Sequence, residues 1–583
     1  MKKLFYICCL CLITQLSFAA SEQLLLKYKI NGITGPVANN VEKRLAIIQR
    51  FAGPELTASE IESFYAEGPE AIRQAMQPYG YFQVQVHNHL QHQRDTWIAI
   101  YDIVPGPVVK IKQVDVEISG AGKTHSVFQN FLAHFPIKSG DALNTEKYEA
   151  VKKALFNIAN NEGFLAAQLT VHQIKIDLTT YTATIALHFD TGPQYYFGPI
   201  KFEQNTFDPN FLQRFVPFKT GSNYSGSALL QLQQNLANSG YFAETVVTPK
   251  KPNNNSVLVP ITVTLIPRKK AQYSMGLGYG TDTGPRGSLG LDLRQLTTTG
   301  QTFKASLTAS AIQNTLSARY VIPGKNPLID QYYISAALGQ ESLPNDSSGT
   351  LAKLTVGYLT QLSKKWQQNL FISPQAEHYS INGGPFQESY ILLPGINWSR
   401  STYDDPIFPL QGSTININIQ GTGPFISSSE FLQTELKGNY IFSLTSANRF
   451  ILQGDIGYAW INDLNQLPLS LQYFAGGSQS IRGYGYESLG PGRTLAIGSI
   501  EYQRQVYNKW YATVFYDTGN ATNHLICHDA DDGNAQENCG LKSSPGIGVL
   551  WASPVGPLEI TLAQAIDEPN KPLHVEFSMG VTL

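Results

Sequence analysis

Two hydrophobic periodicities divide the chain near residue 270. Before it, apolar positions recur at helical spacing and lead into short alternating runs. Tyr148, Val151, Leu155 and Ile158 share one helical face, as do Leu229, Leu232 and Leu236. Thr57 and Glu60 form a capping box ahead of Ile61, Phe64 and Tyr65. Each helical stretch ends on a glycine followed by an aromatic residue: Gly80-Tyr81-Phe82, Gly163-Phe164 and Gly240-Tyr241-Phe242. A glycine there permits the left-handed turn that ends a helix. Pro105-Gly106-Pro107 and Gly192-Pro193 close the first two units, and new strands follow each. The repeat is roughly 80 residues long, beyond the roughly 20–50 of solenoids. Each unit predicts a strand, two helices and two strands, a small sheet with helices on one face. The predicted units are 21–107, 108–193 and 194–269.

After residue 270 helical spacing disappears. Tyr273, Met275, Leu277 and Tyr279 alternate with small or polar residues, and so do Val575, Phe577, Met579, Val581 and Leu583. Alternating runs of roughly 8–12 residues are separated by Gly, Pro, Asn and Asp clusters. The length of this region predicts about sixteen strands, at roughly 20 residues per strand and connection. No later stretch reaches the roughly 20 apolar residues that a spanning helix needs. Membrane entry after export therefore requires a closed barrel. The predicted fold class is α+β periplasmic repeats followed by a transmembrane antiparallel β-barrel over 270–583. The proline-bounded segments 405–409 and 554–557 are expected at short periplasmic turns, and 461–493 and 520–543 on the outer side.

Composition narrows the function classes. Charged residues make up 15% and the net charge is −2, which excludes a basic nucleic-acid binder. Aromatics at 11% and 49 glycines suit strands with one face in lipid and one in water. Lys2 and Lys3, the apolar run Leu4–Leu16 and the small residues to Ala20 predict a signal peptide over 1–20. Its removal takes Cys8, Cys9 and Cys11 and leaves Cys527 and Cys539, an expected disulfide in an oxidising compartment. His524 and His528 flank Cys527, so a metal site is the alternative, although no paired CxxC spacing supports one.

Catalytic motifs are missing from the sequence. "SGAGKT" (119–124) fails as a phosphate loop because Glu117 stands where a glycine is needed. There is no GxSxG and no HExxH, so no enzyme is predicted. Arg268-Lys269-Lys270 reads as a solvated interfacial cluster, with lipid-headgroup contact as the alternative. Gly276, Gly278 and Gly280 thin the first barrel strand, whose seam partner is the last strand with Phe577 and Gly580. Either that seam opens sideways for strand addition, or the glycines relieve barrel curvature.

The repeats resemble POTRA domains, the periplasmic modules of outer-membrane assembly barrels. Residues 218–242, "FKTGSNYSGSALLQLQQNLANSGYF", are similar to the last POTRA of the TamA (translocation and assembly module) family. Residues 474–491, "FAGGSQSIRGYGYESLGP", resemble the sixth-loop motif of the BamA/TamA superfamily, and 512–521 and 544–561 extend the likeness. The resemblance implies that this loop folds into the lumen and that Arg482 meets Glu501 and Asp517 on the wall, with Gly483 and Tyr484 packing beside it. A guanidinium fork suits carboxylates. The resemblance also implies a Gram-negative outer-membrane location with POTRA domains in the periplasm, and contact with outer-membrane lipid. Unfolded autotransporter-type and other barrel proteins are the implied substrates, and a TamB-like inner-membrane-anchored protein the partner. No metal, nucleotide or prosthetic group is implied. Three POTRA domains favour the TamA family over BamA, which usually carries five; a passive pore is a further alternative. Leu583 departs from the aromatic residue that ends many bacterial barrels.

Overall fold

A computed structural model describes residues 25–579, apart from 52–56, 94–95, 253–255, 282, 364, 406–407, 425–426, 446, 524, 526–538 and 554–555. The expected signal peptide, Cys527 with its two histidines, and Gly580 lie outside the described residues.

The first repeat runs β1 (Leu25–Asn31), α1 (Gly35–Phe51), α2 (Ala58–Met76), β2 (Gln85–Gln93), β3 (Thr96–Val104). The last strand takes the centre, parallel to β1 and antiparallel to β2. It can do so because alternate residues Ala99, Tyr101 and Ile103 bury against Ile61, Phe64 and Ile72 of α2. The Thr57–Glu60 capping box starts α2. The second repeat is β4 (Lys110–Ser119), α3 (Ser126–Ala133), α4 (Thr145–Asn161), β5 (Gln168–Asp177), β6 (Thr182–Asp190). The third is β7 (Tyr196–Glu203), α5 (Pro209–Gln213), α6 (Gly226–Asn238), β8 (Phe242–Pro249), β9 (Leu258–Pro267). Both repeat the central placement of the final strand. Gly80, Gly163 and Gly240 have φ of 85°, 85° and 79°, the left-handed turns that their position predicts. The helical faces differ in detail: Ala159 is buried where Ile158 is only half-buried, and Leu229 is half-buried beside fully buried Leu232 and Leu236.

Sixteen antiparallel strands then close a barrel. They are β10 (Ala271–Gly280), β11 (Gly284–Leu293), β12 (Thr302–Ala309), β13 (Gln313–Pro323), β14 (Gln331–Ser342), β15 (Ser348–Gln361), β16 (Trp366–Ser380), β17 (Gln387–Ser401), β18 (Gly412–Thr422), β19 (Phe431–Thr445) and β20 (Asn448–Trp460), followed after a long loop by β23 (Thr494–Tyr507), β24 (Trp510–Thr522), β25 (Lys542–Ser553), β26 (Gly556–Gln564) and β27 (Leu573–Met579). Two short strands inside that loop, β21 (Tyr473–Ala475) and β22 (Leu489–Gly492), pair only with each other. Alternation sets the faces. Tyr273, Met275, Leu277, Leu289, Leu338 and Ile456 are exposed on the outside, while Ser373, Gln433 and Asp517 are buried on the inside.

Chain contacts form two compact units, and the cut passes through the third repeat. Ile200–Pro217, Leu229–Pro249 and the strand from Ile261 group with the barrel. Within that unit the turn after β11 docks on the repeat. The Asp208 amide donates to the Thr298 carbonyl at 2.9 Å, and the Tyr241 hydroxyl donates to the Gly300 carbonyl at 2.6 Å. A Cβ on Gly300 would enter the Phe211 ring, so a glycine is required there. The Arg214 Nη2 donates to the Pro323 carbonyl at 2.9 Å, at the end of β13. Arg268, Lys269 and Lys270 are all exposed. Arg268 is also tied to the third repeat: its amide and Nε donate to the carbonyls of Tyr241 and Phe242, each at 2.8 Å.

Candidate functional site: an anchored lumenal loop and the barrel seam

The loop between β20 and β23 enters the barrel. Its Leu467, Leu471, Tyr473, Ile481 and Tyr484 bury against the inner wall at Leu393, Leu495 and Ala521. That cluster explains why the loop does not stay in water: apolar burial contributes roughly 25 cal/mol per Å². Arg482 sits at its tip. Strand alternation turns Ser499 and Glu501 of β23, and Phe515 and Asp517 of β24, toward the same point. The guanidinium grips Asp517 with two bonds, Nε to Oδ2 at 2.8 Å and Nη2 to Oδ1 at 2.9 Å. Its Nη1 donates to Glu501 Oε2 at 2.5 Å. The Arg482 amide adds a bond to Asp517 Oδ2 at 3.2 Å. The other carboxylate sites are taken too, by the Ser499 hydroxyl at 2.6 Å and Gln503 Nε2 at 2.5 Å. Below, the guanidinium carbon lies 3.3 Å from the centre of the Phe515 ring.

All three charges are withdrawn from water: Arg482 is 8% exposed, Glu501 7% and Asp517 0%. Burial alone would favour the neutral arginine, but the bonds and charges of Asp517 and Glu501 outweigh it and hold its pKa above the ordinary value. Gly483 follows because nothing larger fits. A Cβ there would strike the Ser544 hydroxyl and approach the Ala565 amide nitrogen to 3.0 Å. Tyr484 is buried beside it, and its carbonyl accepts the Gly477 amide at 2.9 Å, which closes the loop on itself.

The barrel closes where β10 meets β27. β10 pairs with β11 along its whole length, and among the described residues it pairs with β27 at Gly280 opposite Ser578, a register that puts its further partners beyond the described residues. Thr281 adds two bonds to Phe577: amide to carbonyl at 3.3 Å, and hydroxyl oxygen accepting the Phe577 amide at 3.2 Å. The Tyr279 and Phe577 rings lie 6.4 Å apart across this junction. Gly276 and Gly278 lie further along β10, where the register puts the last strand's residues outside the described ones.

The Omp85 superfamily domain profile matches residues 295–583, from the turn after β11 to the end of the chain. The barrel is an Omp85 superfamily domain. A profile for the first POTRA domain of TamA matches residues 27–105, and one for a POTRA surface-antigen repeat matches 195–266. The chain is 20% identical to the outer-membrane assembly factor BamA of Neisseria meningitidis, over 89% of its own length and 73% of the relative's. It is 24% identical to BamA of Nitratidesulfovibrio vulgaris, over 64% of its length and about half, 49%, of that protein. The crystal structure of Haemophilus ducreyi BamA lacking POTRA domains 1–3 has the same fold, with a TM-score of 0.70 at 17% identity, covering 81% of this chain and 99% of that one. An Omp85 barrel behind POTRA domains belongs in a Gram-negative outer membrane, with the POTRA domains in the periplasm.

In this Omp85 barrel the predicted anchor residues Arg482, Glu501 and Asp517 meet, and the seam residues Gly280 and Phe577 lie together. Cys539 is disulfide-bonded, while its expected partner Cys527 lies outside the described residues. Sequence reasoning did not single out Ser499, Gln503, Phe515 or Ser544. Their signal was available, since each sits at an inward position of the alternation that carries Glu501 and Asp517.

Proposed function

We propose that this chain inserts or translocates other proteins at the outer membrane, as a TamA-type factor working with a TamB-like partner that spans the periplasm. The carrying observation is a closed barrel whose lumen is plugged by a pinned loop, behind POTRA-type repeats. A plugged lumen conducts poorly, which disfavours a static pore. Opening of the seam between β10 and β27 would offer the main-chain groups of the β10 edge to an incoming strand. The energy comes from substrate folding and bilayer burial. Three strand–helix–helix–strand–strand units, and the TamA-type profile on the first, favour TamA over a general assembly factor. The likeness to BamA proteins supports the second reading, a BamA-type factor. The test is crosslinking in the native envelope with the tag on this chain, followed by mass spectrometry. A large inner-membrane-anchored β-rich partner is expected. A set of small lipoproteins instead would assign the chain to general barrel assembly. A large, stable single-channel conductance would point to a pore.

A further inference from the structure

The loop is fastened a second time, on another part of the wall. Arg482 holds one half of it to β23 and β24. The other half, 462–472, is bonded to β16, and four strands, β17 to β20, separate β16 from β23 in the barrel. Its centre is a short 3-10 turn, Leu469–Leu471. The first amides of such a turn have no partner within it, and an N-cap side chain ordinarily takes them. The N-cap residue here is Pro468, whose side chain makes no capping bond.

Glu377, an inward residue of β16, supplies the cap from the wall. Its Oε1 accepts the Ser470 amide at 3.0 Å, and its Oε2 accepts the Ser470 hydroxyl at 2.5 Å. Glu377 is 4% exposed, and burying a carboxylate is costly unless its oxygens are hydrogen-bonded. Here both oxygens are used on one loop residue. Neighbouring contacts hold the same half of the loop. The Tyr379 hydroxyl, two residues on along β16, donates to the Asn465 carbonyl at 3.2 Å, and Gln433 Nε2 of β19 donates to the Leu471 carbonyl at 2.9 Å. Leu469 buries against Tyr379 and Leu343. Gly349 of β15 leaves room for the contact: a Cβ there would come to 3.3 Å from both Glu377 Oε1 and Leu469 Cδ2. Beside the turn a cavity of about 440 Å³ remains open, lined by Leu469 and Ser470 of the loop, by Glu377, and by Gln313 and Gln340 near the ends of β13 and β14.

We propose that Glu377 is a second positioning residue for the plug. It fixes the half of the loop that faces β15 to β19, independently of the arginine pin, and so sets how much of the lumen stays open beside the loop. The inference goes beyond the insertion reading, because its readouts are the opening of the loop and the conductance of the isolated chain.

The test is hydrogen–deuterium exchange by mass spectrometry on the full-length chain in detergent, with single-channel recording on the same preparations. Exchange reports how often a segment opens locally. Glu377→Met keeps the bulk of the side chain without its bonds. It is expected to speed exchange over 467–474 at least roughly tenfold, the scale of one charge-assisted bond, and to leave 481–484 unchanged. Its conductance rises, because the freed half no longer fills the lumen beside β16. Glu377→Gln keeps most of the protection, since its amide oxygen accepts the Ser470 amide and its NH2 donates to the Ser470 hydroxyl. Heat-modifiable gel mobility checks folding. If Glu377→Met does not fold, Ser470→Ala, which leaves β16 intact, carries the test: faster exchange over 467–474 is expected, and wild-type exchange overturns the pin. Unchanged exchange there in folded Glu377→Met overturns it likewise. Equal acceleration over 481–484 overturns its independence from Arg482. Glu377→Gln no better than Glu377→Met overturns the hydrogen-bond account, and faster exchange at wild-type conductance overturns the role in the plug.

Discussion

At the scale of the residue, Arg482 acts as a fastener. It joins a loop to two strands through three side-chain bonds to carboxylates, and both carboxylates are out of water. Breaking such a group from one side leaves charges buried without a counterpart, which costs roughly 3–5 kcal/mol. Arg482→Ala is therefore expected to lower the temperature at which the barrel loses its heat-modifiable mobility. Arg482→Lys recovers only part of the loss, because a lysine presents a point charge and not a fork. Arg482→Glu should abolish function, and adding Asp517→Arg should partly restore it by rebuilding the pair in reverse. A double variant no better than the single one in an envelope-integrity assay would show that the direct pair is not what matters.

At the scale of the element, β10 and β27 form the seam of the barrel. β10 pairs with β11 from Ala271 to Gly280 and meets β27 at Gly280 opposite Ser578. The seam joins the first strand to the last, so opening it leaves every hairpin of the barrel intact. Gly280→Cys with Ser578→Cys, on the paired position, should form a crosslink on oxidation. The locked chain should stay folded and lose substrate insertion, and reduction should restore it. Full activity while locked, in a reconstituted insertion assay, would exclude sideways opening.

At the scale of the molecule, the third repeat is tied to the barrel through its own core. Phe211 caps Gly300 and the Tyr241 hydroxyl holds its carbonyl. Burial pushes the Tyr241 phenol up to about 12, against a smaller opposing effect from Arg214. A raised acid stays neutral in the folded protein while its unfolded form ionises from about pH 10. Its contribution is therefore constant below pH 10 and is lost as pH rises through the folded value. Protease sensitivity at the junction of repeat and barrel should appear above about pH 10. In Tyr241→Phe that alkaline step disappears, and a baseline loss of roughly 1 kcal/mol takes its place, the net worth of one hydrogen bond.

Much of this was legible along the chain, because local chemistry decides it. The helix caps, the glycine turns at 80, 163 and 240, and the alternation after residue 270 follow from backbone sterics and side-chain period alone. The number of strands follows from length, since a bilayer sets how long each must be. Arg482 with Glu501 and Asp517 was legible by resemblance, yet their separations of 19 and 35 residues carry no local signal. Only strand register could bring them to one point. The same holds for the pairing of Gly280 with Ser578 at the seam, which depends on how the last strand meets the first. It holds too for Glu377 and the Ser470 amide that it caps, 93 residues apart. The sequence by itself determined which faces meet lipid and which meet water. The tertiary structure decided which charges face each other, because closure of the barrel fixes neighbours that sequence order leaves far apart.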